Sequence, residues 1–551
     1  MEAGSKAIQN ADDMPVTAAT TEQVDRAVLN EKAKRADELD HQEKILPALR
    51  LHYKAVFWAF VVSMCVIMEG YDTSLLNNFY AYPAFAKRFG NFDPGSGKYQ
   101  LTAPWQAGLG NSSGVGAFFG AFLNGFLVDR FGHKKVVLGS LLALSAFLFI
   151  VFFANSIEVL LVGEILCGFP WGIFATLSPA YASEILPLSL RVYMTSWTNM
   201  CFIIGQLISA GVLAGLVHNN TEWAYKIPFA VQWFWPLILF PTLLFAPQSP
   251  WYLVRKGRLE EARHSLVRLN HKSTDAASID EQLALIVHTD NQERELLLEV
   301  STSYWQCFRG VEARRTEIAC MVFAGTILTG LVFAYNTTYF FSSIGLSSSQ
   351  AYNLNVGGTG MALASTLISW VFVMPYFGRR TIYLWGTFGM TVILFLIGIL
   401  NVRTNDHSYA LAQAVLTLIW TFVFQLSVGQ IAWALPAEIG STRLRQKTVV
   451  IGRNAYYIAS VVASVLEPYF VNPTAWNLKG YTSFFWTGSA LLTLIWVFFR
   501  LPETKGRSYE EINLLFAKGV GSRHFAEYQV DVFDETDEKG MVVQVERAGQ
   551  V

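Results

Sequence analysis

Twelve apolar runs recur along the chain, at roughly 54–79, 106–128, 135–154, 157–183, 194–217, 226–246, 318–341, 352–375, 381–401, 409–436, 446–470 and 480–500. About 20 apolar residues at 1.5 Å per residue cross the ~30 Å hydrocarbon core of a bilayer, so each run is long enough to span one. Lipid offers no partners to backbone N–H and C=O groups, so the spans must be helices that satisfy those groups internally. Composition agrees: 52% of the 551 residues are hydrophobic and 15% charged, where a soluble domain carries about 25% charged residues. Residues 247–317 are polar instead, and within them RLEEARHSLVRLN and DEQLALIVHTDNQERELLLEV place apolar residues at helical spacing. The fold class expected is an all-α polytopic membrane protein with twelve transmembrane helices in two six-helix halves. Its parts are an N-terminal tail (1–53), a six-helix bundle (54–246), a helical linker (247–317), a second bundle (318–500) and a C-terminal tail (501–551).

Several classes are excluded. A net charge of -1 gives no basic footprint for nucleic acid. Cys65, Cys167, Cys201, Cys307 and Cys320 share no metal-ligand spacing and suggest neither a disulfide framework nor a metal site. No phosphate-binding Gly-Lys-Ser loop or nucleophile motif stands out, so no enzyme, cofactor or ATP-driven pump is expected, and the energy must come from a gradient. The polar N-terminus lacks the apolar core of a cleavable signal peptide.

Orientation follows from the basic loops. DRFGHKK (129–135), GRR (378–380) and RLRQK (443–447) alternate with the base-poor NS (155–156), HNNTEW (218–223) and NVRTNDHS (401–408). The positive-inside rule puts the basic loops, both termini and the linker in the cytoplasm, with the plasma membrane as the expected location. Asn219, in Asn-Asn-Thr, then heads an outward-facing glycosylation sequon. Lys32, Lys34 and Lys539 are tail candidates for modification.

The two halves repeat each other. Gly132 in DRFGHKK matches Gly378 in YFGRR at an offset of 246, Glu184 in SEILPLSLR matches Glu438 in AEIGSTRLR at 254, and Pro247 in PQSPW matches Pro502 in PETKGR at 255. A duplicated six-span unit is the build of a secondary transporter, with its solute site near the midplane between repeats. The first run also carries Glu69 and Asp72, spaced i and i+3 on one helix face. Charge at membrane depth marks a bundle interior or a wet cavity, so this face reads as the wall of a solute pathway. Gly70 beside it permits close approach of another backbone.

GFLVDRFGHKK (125–135), SEILPLSLR (183–191), PQSPWYLVRKGR (247–258), GQIAWALPAEIGSTRLR (429–445) and LPETKGR (501–507) resemble the sugar porter family of the major facilitator superfamily, over about residues 54–516. Within it, MEGYDTSLLNNFYAYPAF and SPAYASEI are similar to the fungal α-glucoside (maltose-type) proton symporters. The resemblance implies a major facilitator fold and import of an α-glucoside with protons by alternating access, by a chain functional as a monomer. A carrier of a hexose or β-galactoside, a uniporter and, ranked below them, a non-transporting sugar sensor are the alternatives.

The resemblance also assigns residues. Asn199, Gln206, Asn336, Trp433, Tyr456 and Tyr457 take sugar-contacting positions; Glu69, Asp72, Glu164 and Arg453 are the buried charges of proton coupling. The distance between a carboxylate and Arg453 sets its proton affinity, so rocking that changes this distance couples protons to sugar. Asp129, Arg130, Glu184, Arg191, Glu438 and Arg445 form the cytoplasmic gate. The chain departs from the family at Pro375, where the second loop motif has an acid, and at Gln248 and Trp251. It departs again at Glu164, where many hexose porters carry an arginine, and in GTILTGLVFAYN, which lacks their paired glutamines.

Overall fold

The computed structural model describes residues 31–528, apart from breaks at 33–34, 36–44, 94–97, 220, 272–273, 300–303, 336, 344–346, 404–406, 442–443, 472–474, 477 and 508. Lys34 and Lys539 lie outside the described residues. Every apolar run falls on helix. The first is α1 (Tyr53–Ser63) and α2 (Cys65–Phe79), parted at Met64; α3 (Ala103–Phe131), α4 (His133–Phe152), α5 (Ile157–Ile185) and α6 (Leu188–Leu216) follow. The sixth run is cut at Gln232–Trp233 into α7 (Trp223–Val231) and α8 (Phe234–Leu243). The polar stretch holds α9 (Pro250–Arg255), α10 (Leu259–Leu269) and α11 (Ala276–Glu299). Beyond it come α12 (Gly310–Leu328), α13 (Leu331–Tyr335), α14 (Thr337–Ser343), α15 (Ser348–Ile368), α16 (Arg379–Leu400), α17 (His407–Leu426), α18 (Val428–Ile439), α19 (Arg445–Val471) and α20 (Thr482–Arg500), then α21 (Tyr509–Ala517).

Among the described residues, nine helical segments are long and apolar enough to cross a membrane. The remaining runs have physical reasons for falling short. In α3 the apolar stretch is diluted by Asn111, Ser112, Ser113 and Asn124, and the sixth run is cut in two. The seventh breaks after α12 at Thr329–Gly330, where Gly330 takes φ +96°, a conformation that glycine adopts without strain.

The chain separates into two compact units. One comprises residues 1–57, 184–191 and 247–301. In it α9, α10 and α11 form a small cluster around Tyr252, Leu253, Val254, Ala262, Leu266, Ile279 and Ile286. Arg263 pairs with Asp280 at 2.8 Å and Lys54 Nζ donates to the Asn270 carbonyl at 2.8 Å. The other unit comprises residues 58–183, 192–246 and 302–551. Within it α12 packs on α19, α19 on α3, and α16 on α17 and α20, around a core that includes Trp420, Phe424, Trp486 and Leu394.

Close helix approach is the local device that seats α2. Without much hydrophobic drive between helices in lipid, packing relies on small residues that let backbones meet. A Cβ added at Gly70 would lie 2.1 Å from the Phe202 carbonyl oxygen, and one at Gly205 would lie 2.1 Å from that of Ile67. Both contacts are backbone, so relief needs the helices to separate. Gly205→Val is therefore expected to cost at least the ~1–3 kcal/mol of ordinary overpacking. Gly211→Val, on the same helix but facing open space, should stay within about 0.5 kcal/mol. Thermal unfolding of the detergent-solubilised variants checks the contrast.

Candidate functional site

Glu69 and Asp72 are both buried on α2, but they face different neighbours. Glu69 Oε1 lies 3.6 Å from Arg453 Nη2 on α19, an ion pair longer than a hydrogen bond. Asp72 Oδ1 accepts a 2.5 Å hydrogen bond from Gln232 Nε2, and its carboxyl interacts with that of Glu164 on α5. The shared face expected from the i, i+3 spacing is thus divided. At 3.6 residues per turn two such positions stand about 60° apart around the axis, enough to address opposite sides of a groove. Gln232 had no signal in the sequence beyond being an amide at the break between α7 and α8.

Arg453 is held by rings as much as by charge. Its guanidinium carbon lies 4.4 Å from the ring centroids of Trp433 and Tyr456, 5.0 Å from Tyr457 and 5.8 Å from Phe323. All fall within the ~6 Å reach of a cation–π contact. One cavity, of about 390 Å³, opens against this cage and is lined by Asn199, Phe323, Trp433, Arg453 and Tyr456. A second, of about 530 Å³, is lined by Asn77, Asn78, Gln206, Asn355, Thr359, Thr421 and Gln425. Tyr335 lines both. Asn199 Nδ2 donates to Gln425 Oε1 at 3.0 Å across the division.

The structure therefore gathers Asn199, Trp433, Tyr456 and Arg453 in one chamber and puts Gln206 in the other. Tyr457 stands behind the first, packed on Ala117 and Ala121 of α3. Asn336 lies outside the described residues. Asn77, Asn355, Thr359, Thr421 and Gln425 were missed because isolated polar residues in apolar helices give no sign of which face they occupy. Contacts between the first six and last six runs lie on both sides of the chambers. Toward the end of α2, Asn78 Oδ1 accepts from Thr338 at 2.5 Å and the Asn78 carbonyl from Tyr352 at 2.6 Å. Toward the start of α6, Trp197 stacks on Phe60 and meets Trp370 at 6.3 Å.

The gate residues pair locally. In the smaller unit Glu184 accepts from Ser249 and lies 3.4 Å from Arg255; Arg191, in the same unit, is partly buried. In the larger unit Glu438 accepts from Thr504 at 2.5 Å and lies 3.5 Å from Arg379. Asp129 and Arg130 are exposed at the end of α3, and Arg445 opens α19, its side chain outside the described set. Glu503 was missed. It accepts the backbone N–H groups of Arg379 and Arg380 at 2.7 and 3.2 Å, supplying in space the acid that Pro375 replaces in sequence. A Cβ at Gly378 would meet its carboxylate at 2.0 Å, so the glycine makes room for it.

Membrane-crossing helices around a pair of chambers lined by rings, amides and hydroxyls, with Arg453 on the wall of one, are the build of a solute carrier. Residues 58–516 match the family described as sugar (and other) transporter. Among relatives, the maltose permease MAL31 of Saccharomyces cerevisiae is 37% identical over 508 residues, covering 91% of this chain and 82% of that permease. The general alpha-glucoside permease of the same species is 38% identical over 505 residues, covering 90% and 81%. Among solved structures, the proton:xylose symporter XylE bound to 6-bromo-6-deoxy-D-glucose superposes with a TM-score of 0.70 at 20% identity, over 84% of this chain and all of that one. A partially occluded, inward-open form of the xylose transporter XylE from E. coli gives 0.67 at 17%, over 83% and all of that chain. The chain belongs to the sugar transporter family, is a multi-pass membrane protein and takes the major facilitator fold.

The Glu69–Arg453 pair sets a stability test. Removing one partner of a buried pair leaves a bare charge and costs about 3–5 kcal/mol. Arg453→Met should lower the melting temperature of the purified protein sharply, and Glu69→Gln combined with Arg453→Gln should recover most of the loss. Additive losses in the double variant would refute the pairing.

Proposed function

We propose that this chain imports an α-glucoside such as maltose by proton symport, through alternating access of its two six-helix halves, 54–246 and 318–500. The observation that carries the reading is the pair of chambers, where amides and hydroxyls to read sugar hydroxyls meet rings for the apolar sugar face, near buried carboxylates. The maltose and alpha-glucoside permease relatives supply the sugar class.

The proton falls to the acids of α2 and α5. Two negative charges buried side by side cost far more than one, so Asp72 with Glu164 is a natural holder of a single proton. Glu69 reports on the halves through Arg453: when they rock, the pair parts and the carboxylate is freed. Asn199, Gln206, Trp433 and Tyr456 contact sugar, with Asn336 and Tyr457 as further candidates. Asp129, Arg130, Glu184, Arg191, Glu438 and Arg445 serve the cytoplasmic gate, whose pairs break and reform as the halves move. The basic loops support a cytoplasmic placement of the linker and both termini. The work is transport and not catalysis, done by a monomer in the plasma membrane, with Asn219 facing outward as a glycosylation site.

In unbuffered yeast lacking their own α-glucoside carriers and expressing this chain, added maltose should alkalinise the medium. Asp72→Asn and Glu69→Gln should each abolish that signal. Labelled maltose uptake without a pH change would make the chain a uniporter. Response to glucose or lactose and not to maltose would overturn the sugar class.

A further inference from the structure

We infer that the larger, amide-lined chamber is a second-ring subsite, and that Thr359 and Thr421 in it make the carrier prefer a disaccharide to a single sugar ring. The inference rests on the α-glucoside reading and names how that site divides its substrate. Both chambers carry groups that can hydrogen-bond a sugar hydroxyl. They meet at Tyr335, which lines both. A two-ring glucoside has its linkage at that junction, beside the Asn199–Gln425 hydrogen bond that a bridging sugar would replace.

The linings are chemically unlike. The smaller chamber offers the faces of Trp433, Tyr456 and Phe323, suited to stacking one pyranose ring. The larger offers hydroxyls and amides, with an aromatic ring only at the junction. Thr359 Oγ1 already donates to the Asn355 carbonyl at 3.0 Å and Thr421 Oγ1 to the Thr417 carbonyl at 3.1 Å. Their protons are committed and their lone pairs are turned toward acceptance. They are therefore fixed acceptors for the O–H donors of a second ring. Asn78 plays no such part, since its amide is taken up by Ser74 and its oxygen by Thr338; it closes the far wall. A site that hydrogen-bonds a substrate hydroxyl discriminates strongly against the analogue without it.

The test uses the full chain in yeast lacking their own α-glucoside carriers, with labelled maltose and labelled methyl α-glucoside, which has one ring. Thr359→Val with Thr421→Val keeps side-chain shape and removes both acceptors. The KM for maltose should rise about tenfold, the factor that corresponds to ~1.4 kcal/mol, while that for methyl α-glucoside stays within twofold. Thr421→Ser restores a hydroxyl and should keep the maltose KM within twofold of wild type. Equal loss for both sugars, or no change for either, overturns the second-ring subsite while wild-type maltose uptake leaves the α-glucoside reading standing. Wild-type uptake of methyl α-glucoside without maltose overturns the subsite directly. A wild-type chain that moves neither sugar overturns the α-glucoside reading, and the subsite with it.

Discussion

A buried charge pair is the constraint on which the rest of this structure depends. Burying Glu69 and Arg453 costs several kcal/mol per ion even after relaxation, and lipid offers nothing to either of them. The chain offsets that cost by bringing α2 and α19 together, one from each repeat, and by wrapping Arg453 in four rings. The pair is loose: at 3.6 Å it is not a hydrogen bond, and Glu69 Oε2 and Arg453 Nε find no hydrogen-bond partner among the described residues. A pair this loose resists separation little, because the free energy that holds a contact together opposes any motion that breaks it.

Division of labour among the acids follows from helix geometry. Three residues of separation turn Asp72 away from Arg453 and toward Gln232 and Glu164. One carboxylate therefore spans the two repeats while the other stays inside the first. Gly70, between the two acids, keeps α2 hard against α6.

Most of the fold was legible in the sequence because lipid leaves so few choices: long apolar runs must be helices, and their number and the repeat of three motifs give the architecture. The buried charges were legible for the same reason, being costly enough to stand out. What could not be read was which way single polar residues face. Gln232, Asn355, Thr359, Thr421 and Gln425 occur in apolar helices whose periodicity is blurred because both lipid-facing and core-facing sides are apolar. Their role depends on helix rotation, which only packing fixes. The breaks after α7 and α12 hid in the same way, since glycine and glutamine interrupt hydrophobicity very little.

Glu503 makes the complementary point about repeats. The second loop motif lacks its acid, Pro375 standing in its place along the chain. In space the carboxylate arrives from the segment after α20 and takes two backbone N–H groups at the start of α16. Anions are favoured at a helix N-terminus, where unpaired N–H groups converge, so the position asks for a negative charge and not for a particular stretch of chain. The two chambers differ as well: one is lined largely by rings and the other offers amides and hydroxyls. Two halves that repeat each other in sequence thus bound chambers of unlike chemistry.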